Sequence, residues 1–170
     1  MSAPGSTSTR EPSVRLAVGD FFPSLTASLV NGGHINLPAD VSDGWAVLLF
    51  YRGHWCPYCR KQLDDFQNRL DRFREADIRV VALSADPEDE ANLTVEQHGI
   101  DFPVAYDLDP ATARGTLGTY VGADEAFIQA TGFVLGPDGR TTLAVYSSGA
   151  VGRLAAADVL GFIEYARAQE

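Results

Sequence analysis

The chain has 170 residues, 45% of them hydrophobic and 21% charged, with a formal net charge of −10. That is the make-up of a soluble globular protein with enough length for one substantial core. The acidic balance argues against nucleic acid and anionic membrane surfaces as partners, because both repel it. No run of residues has the apolar length of a membrane-spanning helix, and the start Met1–Arg10 lacks the apolar centre of a secretory signal, so a cytoplasmic protein is expected.

In chain order, residues 1–12 are rich in Ser, Thr, Pro and Gly and read as a disordered tail, leaving residues 13–170 as one domain. Val18-Gly19-Asp20-Phe21-Phe22-Pro23 reads as an entry turn. A strand follows at Leu25–Val30, and Asn31-Gly32-Gly33 predicts a hairpin returning through His34–Leu37. Trp45–Tyr51 is an unbroken apolar run, the pattern of a strand buried on both faces. Pro57 suits the first turn of a helix, and Leu63, Phe66, Leu70 and Phe73 recur at spacings of three and four, predicting one helix through about Ala76.

A second buried strand is predicted at Ile78–Leu83. The run Asp86-Pro87-Glu88-Asp89-Glu90 reads as the solvated, dipole-compatible start of a helix that Gly99 ends. Phe102–Tyr106 reads as a third strand and Pro110–Leu117 as a short helix. Gly132–Leu135 and Thr141–Tyr146 flank the turn Gly136-Pro137-Asp138-Gly139-Arg140 and form an antiparallel hairpin, and Leu154–Ala168 closes the chain as a helix. The expected fold class is α/β, with a central mixed sheet covered by helices on both faces.

Both cysteines, Cys56 and Cys59, lie where the central strand gives way to a helix. A helix N-terminus carries unpaired N–H groups and a partial positive charge, which favour the reactive thiolate. A Cys-x-x-Cys pair in a reducing compartment points to catalytic or transient redox chemistry rather than a structural staple. The competing reading of a lone cysteine is a small buried hydrophobe. Arg52, His54 and Arg60 surround Cys56 in sequence; Arg52 either pairs with a surface carboxylate or serves the thiolate, and His54 either tunes it or fills the turn. Trp55 either walls the site or packs. One Cys-x-x-Cys with three scattered histidines, His34, His54 and His98, does not make a zinc site, so no metal and no cofactor are expected.

The strand followed by Trp55-Cys56-Pro57-Tyr58-Cys59 and a helix, then β-α-β and β-β-α, resembles the thioredoxin fold. Val18-Gly19-Asp20-x-x-Pro23 and the long insert between principal strands look like the peroxiredoxin branch, the AhpC/TSA superfamily. Phe50-Tyr51-Arg52-Gly53-His54-Trp55-Cys56-Pro57-Tyr58-Cys59 is similar to its Arg-Gly-x-Trp-Cys-Pro-x-Cys group. The resemblance covers about residues 14–168.

It implies a peroxiredoxin-type N-terminal hairpin and a peroxidatic Cys56 that reduces hydrogen peroxide or an organic hydroperoxide. Cys59 would resolve the sulfenic acid as a disulfide. Thioredoxin or a low-molecular-weight thiol would be the reductant, and a homodimer the assembly. The chain departs from the family where Gly53 stands at the hydroxyl position, Leu49 at the proline position and Ala130 near the late arginine. Arg52 and Arg153 are the substitutes expected, Arg153 following the polar turn Ser147-Ser148-Gly149. The alternative reading is a thioredoxin-like protein disulfide oxidoreductase, although Gln129-Ala130-Thr131-Gly132 lacks the cis-proline of that group.

Overall fold

The computed structural model of the protein describes residues 15–170; the expected tail at 1–12 lies outside them. Seven strands form one sheet: β1 (Leu25–Leu29), β2 (His34–Leu37), β3 (Trp45–Phe50), β4 (Ile78–Leu83), β5 (Val104–Tyr106), β6 (Thr131–Leu135) and β7 (Thr141–Tyr146). Their spatial order is β2-β1-β5-β4-β3-β6-β7. β3, β4 and β5 run parallel, and the other neighbours pair antiparallel. The helices are α1 (Pro57–Asn68), α2 (Leu70–Glu75), α3 (Glu88–His98), α4 (Pro110–Leu117) and α5 (Ala156–Ala168). This is the mixed α/β, thioredoxin-like arrangement expected.

β3 lies inside the sheet between β4 and β6, next to the middle strand, and each of its residues is buried. Successive side chains point to opposite faces of the sheet. Val47, Leu49 and Tyr51 therefore join Leu63, Phe66, Val159 and Ile163 in the core beneath α1 and α5. Ala46, Leu48 and Phe50 join Val81, Leu117, Ile128 and Phe133 in the core on the other face. There Phe133 meets Phe22, Phe50 and Tyr146 edge-on, at centroid distances of 5.3, 5.8 and 5.6 Å. Burial of each large side chain contributes about 1.5–3 kcal/mol, so both faces of β3 anchor the fold. The entry turn docks on the hairpin of β6 and β7 through Gly19 N–H to Thr141 O and Thr141 N–H to Asp20 O, both 2.8 Å.

Several element bounds shift by a residue or two, and two differences have a specific physical cause. The helix predicted through Ala76 breaks at Arg69 (φ −111°, ψ 12°) into α1 and α2. The apolar spacing runs through the break unchanged, with Phe66 and Phe73 stacked at 5.3 Å, so periodicity alone does not register it. The third strand starts at Val104 rather than Phe102, since Pro103 has no N–H for the ladder.

Candidate active site

The register Phe50↔Leu83 ends β3 and β4 side by side, and Tyr51 N–H continues the ladder to Leu83 O. The turns that follow both strands therefore leave the same edge of the sheet. The first, residues 52–55, closes by a 3.1 Å hydrogen bond from Cys56 N–H to Gly53 O. Cys56 is the N-cap of α1, with extended backbone, and Pro57 follows within the first turn, where its missing N–H is no loss. Cys59 N–H donates to Cys56 Sγ at 3.4 Å, so the sulfur occupies the place of a capping oxygen.

Both thiols are free and fully buried. Two arginines reach Cys56 Sγ: Arg52 Nη1 at 3.7 Å and Arg153 Nη2 at 3.6 Å. Arg153 Nη2 also lies 3.1 Å from Cys59 Sγ, which in addition accepts the Arg52 main-chain N–H at 3.2 Å. Burial works against a Cys56 thiolate, but hydrogen bonds from the Cys59 thiol and amide and from Arg52, with the charge of Arg153, outweigh it. Cys56 thus ionises below the usual thiol range. Burial pushes Cys59 up, as does the hydrogen bond its thiol gives to Cys56, and Arg153 only partly offsets them. The two sulfurs are thereby divided into a thiol that ionises early, Cys56, and one that keeps its proton, Cys59.

Arg52 is held from above by aromatic rings, its guanidinium 4.8 Å from the Trp55 centroid and 4.9 Å from that of Phe127. Trp55 is half exposed and meets Phe127 edge-on at 5.0 Å. A cleft of about 350 Å³ opens beside them, lined by Arg52, Trp55, Asp86, Pro87, Glu90 and Phe127 among others.

The turn rests on Asp86. Expected as part of a solvated helix start, Asp86 is instead only 5% exposed. Its carboxylate accepts the His54 N–H at 2.8 Å, and its own N–H donates to Ser84 Oγ at 3.1 Å. Burial raises its pKa to about 6, with the charge of Glu90 adding to the rise and the His54 N–H opposing it. The His54 ring shares a 2.9 Å hydrogen bond with the buried Thr94 hydroxyl of α3. Among the described residues no hydrogen bond joins that ring to either sulfur, so its contacts are those of a group holding the turn. Side chains crowd Gly53 closely: a Cβ there would lie 2.4 Å from Trp55 Nε1 and 2.8 Å from Asp86 Oδ1. The position of the family's hydroxyl residue is thus closed sterically. Ala130 is buried immediately before β6, its carbonyl accepting Ser147 N–H at 3.0 Å.

The structure therefore gathers Cys56, Cys59, Arg52 and Arg153 around one pair of sulfurs, with Gly53, His54, Trp55 and Pro57 forming the turn beneath and beside them. Sequence reasoning did not single out Gln62, Thr94 or Phe127, and misplaced Asp86. The position of Asp86 just past the carboxyl end of a parallel strand is the one signal that pointed to it, since sites gather at that edge. Among the described residues no group of three or more His, Cys, Asp or Glu side chains is arranged to hold a metal ion, and no helix is long and apolar enough to cross a membrane.

A dithiol at the N-terminus of a helix, on the carboxyl edge of this sheet, defines a thioredoxin-fold thiol oxidoreductase. The chain belongs to the AhpC/TSA family, whose model matches residues 18–142. It is 32% identical over 146 residues to a putative peroxiredoxin of Mycobacterium tuberculosis, spanning 83% of this chain and 92% of that protein. It is also 30% identical over 107 residues to the thiol-disulfide oxidoreductase ResA of Bacillus anthracis, spanning 62% of this chain and 58% of that one. In fold it is similar to the peroxidoxin BcpB of Mycobacterium tuberculosis, with a TM-score of 0.76 and 22% identity over 89% of this chain and 98% of that one.

Proposed function

We propose that the protein is a thiol peroxidase in which Cys56 reduces hydrogen peroxide or an organic hydroperoxide and Cys59 resolves the product. The observation that carries this reading is the Cys56 sulfur at a helix N-cap with Arg52 and Arg153 at 3.7 and 3.6 Å. The Cys56 thiolate attacks one peroxide oxygen, the O–O bond breaks, and sulfur keeps that oxygen as a sulfenic acid. The other oxygen takes up a proton and leaves as water or an alcohol. Sulfur is oxidised and the peroxide reduced by two electrons. Cys59 then attacks the sulfenic sulfur, forming the S–S bond; hydroxide departs and, with the proton Cys59 gives up, becomes water. A dithiol such as thioredoxin, or two low-molecular-weight thiols, returns the pair to the reduced state. Arg52 and Arg153 stabilise the thiolate and the charge that develops on the leaving oxygen, standing in for the groups that Gly53 and Ala130 do not supply. Pro57 sets the helix start, and Trp55 and His54 hold the turn.

A second reading, disulfide exchange with protein partners, is favoured by the Cys-x-x-Cys spacing itself, with a buried second thiol that ionises late. Mass spectrometry after one equivalent of hydrogen peroxide separates the two. A Cys56–Cys59 disulfide supports the peroxidase; Cys56 sulfinic acid without a disulfide contradicts resolution by Cys59. Unmodified thiols, together with turnover in an insulin-reduction assay, favour exchange.

A further inference from the structure

Cys56, Cys59, Gln62 and Asp65 follow one another at intervals of three, so each neighbours the next along α1 and its N-cap. All four engage a single segment that arrives from the far end of the chain. Cys56 and Cys59 meet Arg153 Nη2. Gln62, only 8% exposed, uses both ends of its amide: Oε1 accepts from Arg153 Nη1 at 3.2 Å, and Nε2 donates to Leu154 O at 2.9 Å. Asp65 Oδ2 accepts Ala156 N–H at 2.8 Å, capping α5, whose own N-cap Ala155 offers no side-chain bond. The segment reaches this face through Gly152, whose φ of +92° is a conformation that residues with side chains rarely adopt. Arg153 is tied locally as well, through Nε and Nη2 to Ala150 O at 3.3 and 3.0 Å.

We infer that Gln62 is a positioning residue for the thiol chemistry: it orients the Arg153 guanidinium so that one nitrogen faces both sulfurs. A long, flexible arginine anchored only to Ala150, within its own turn, has rotamers that carry its charge away from Cys56. The Gln62 amide holds the fork from one side and the following carbonyl from the other, so guanidinium and main chain move together. Gln62 itself does not touch the sulfurs or any reactant. The inference rests on the reading that the Cys56 thiolate is the nucleophile.

The test is alkylation of Cys56 by iodoacetamide as a function of pH, followed by peptide mass spectrometry. It compares wild type, Gln62→Met, Arg153→Met and the double variant. Methionine keeps the length and volume of glutamine but neither hydrogen bond. Gln62→Met is expected to move the ionisation midpoint of Cys56 upward by most of the shift seen in Arg153→Met. In the Arg153→Met background it is expected to add nothing further. A Gln62→Met midpoint equal to wild type, or a shift that adds fully to that of Arg153→Met, overturns the inference. So does loss of the native near-ultraviolet circular dichroism in Gln62→Met, which would make the residue a prop of the fold. A wild-type midpoint at the free-thiol value would instead overturn the reading of Cys56 on which the inference stands, and no peroxide is needed to learn it.

Discussion

Arg153 Nη2 lies 3.1 Å from the Sγ of Cys59, closer than its 3.6 Å approach to Cys56. The arginine therefore faces both sulfurs and lies within reach of negative charge on either one. In the reduced protein Cys59 donates its proton toward Cys56, so the charge favours Cys56. In the proposed cycle Cys59 ionises to attack a sulfenic acid, and the same guanidinium is already beside it.

Removing that charge should weaken the Cys56 thiolate. A hydrogen bond from a charged group contributes about 1.5–3 kcal/mol, so Arg153→Met is expected to slow Cys56 alkylation near neutral pH roughly tenfold. Arg52→Met should act in the same direction, because Arg52 also reaches Cys56 Sγ. Rates measured against pH should show both losses shrinking as the pH rises and the thiol ionises unaided.

Restoring the family's hydroxyl residue should fail. Gly53→Thr would place a Cβ 2.4 Å from Trp55 Nε1 and 2.8 Å from Asp86 Oδ1. Overpacking of this kind costs about 1–3 kcal/mol. Thermal unfolding is expected to show a lower Tm, with no gain in peroxide reduction by the folded protein.

Cys59→Ser separates the two halves of the cycle. One equivalent of peroxide should leave a Cys56 sulfenic acid that dimedone captures, and excess peroxide should carry it to the sulfinic acid. In wild type the disulfide should form first and leave dimedone little to label. Equal labelling of the two proteins would remove Cys59 from the mechanism.

Asp86 gives the fold a pH dependence of definite sign. Its folded pKa of about 6 is raised from the ordinary carboxyl value of 3.8. The stability it contributes is thus fully present below about pH 4 and is lost as the pH rises through about 6. Asp86→Asn keeps a carbonyl oxygen for the His54 N–H but carries no charge. Its Tm should match wild type near pH 4 and exceed it at pH 7.5, by the equivalent of about 1–2 kcal/mol once partial solvation is allowed for. A difference that does not change with pH would contradict this assignment.

Much of this was legible in the chain. The unbroken run Trp45–Tyr51 announces a strand with a core on each face, and that is where β3 lies. Asn31-Gly32-Gly33 and Gly136–Arg140 mark hairpins that form. The pair Cys56 and Cys59 at the strand-to-helix junction is likewise a local pattern. What the chain hid depends on long-range alignment. Asp86 reads locally as a solvated acid, and only the matching ends of β3 and β4 set it beneath His54, 32 residues earlier. Gln62 reads as an ordinary helix residue until the Leu154 carbonyl arrives from 92 residues away. The break at Arg69 escaped because the hydrophobic spacing on either side stays in phase.

The central claim is that Cys56 is tuned to reduce a peroxide. Stopped-flow tryptophan fluorescence tests it most directly, since Trp55 adjoins Cys56 and Arg52 stands over its ring. Reduced protein mixed with hydrogen peroxide or an organic hydroperoxide should show a second-order phase orders of magnitude faster than a free thiolate with one of them, and Cys56→Ser should lack it. Oxidation of Cys56 no faster than that of a free thiolate with either peroxide would contradict the account.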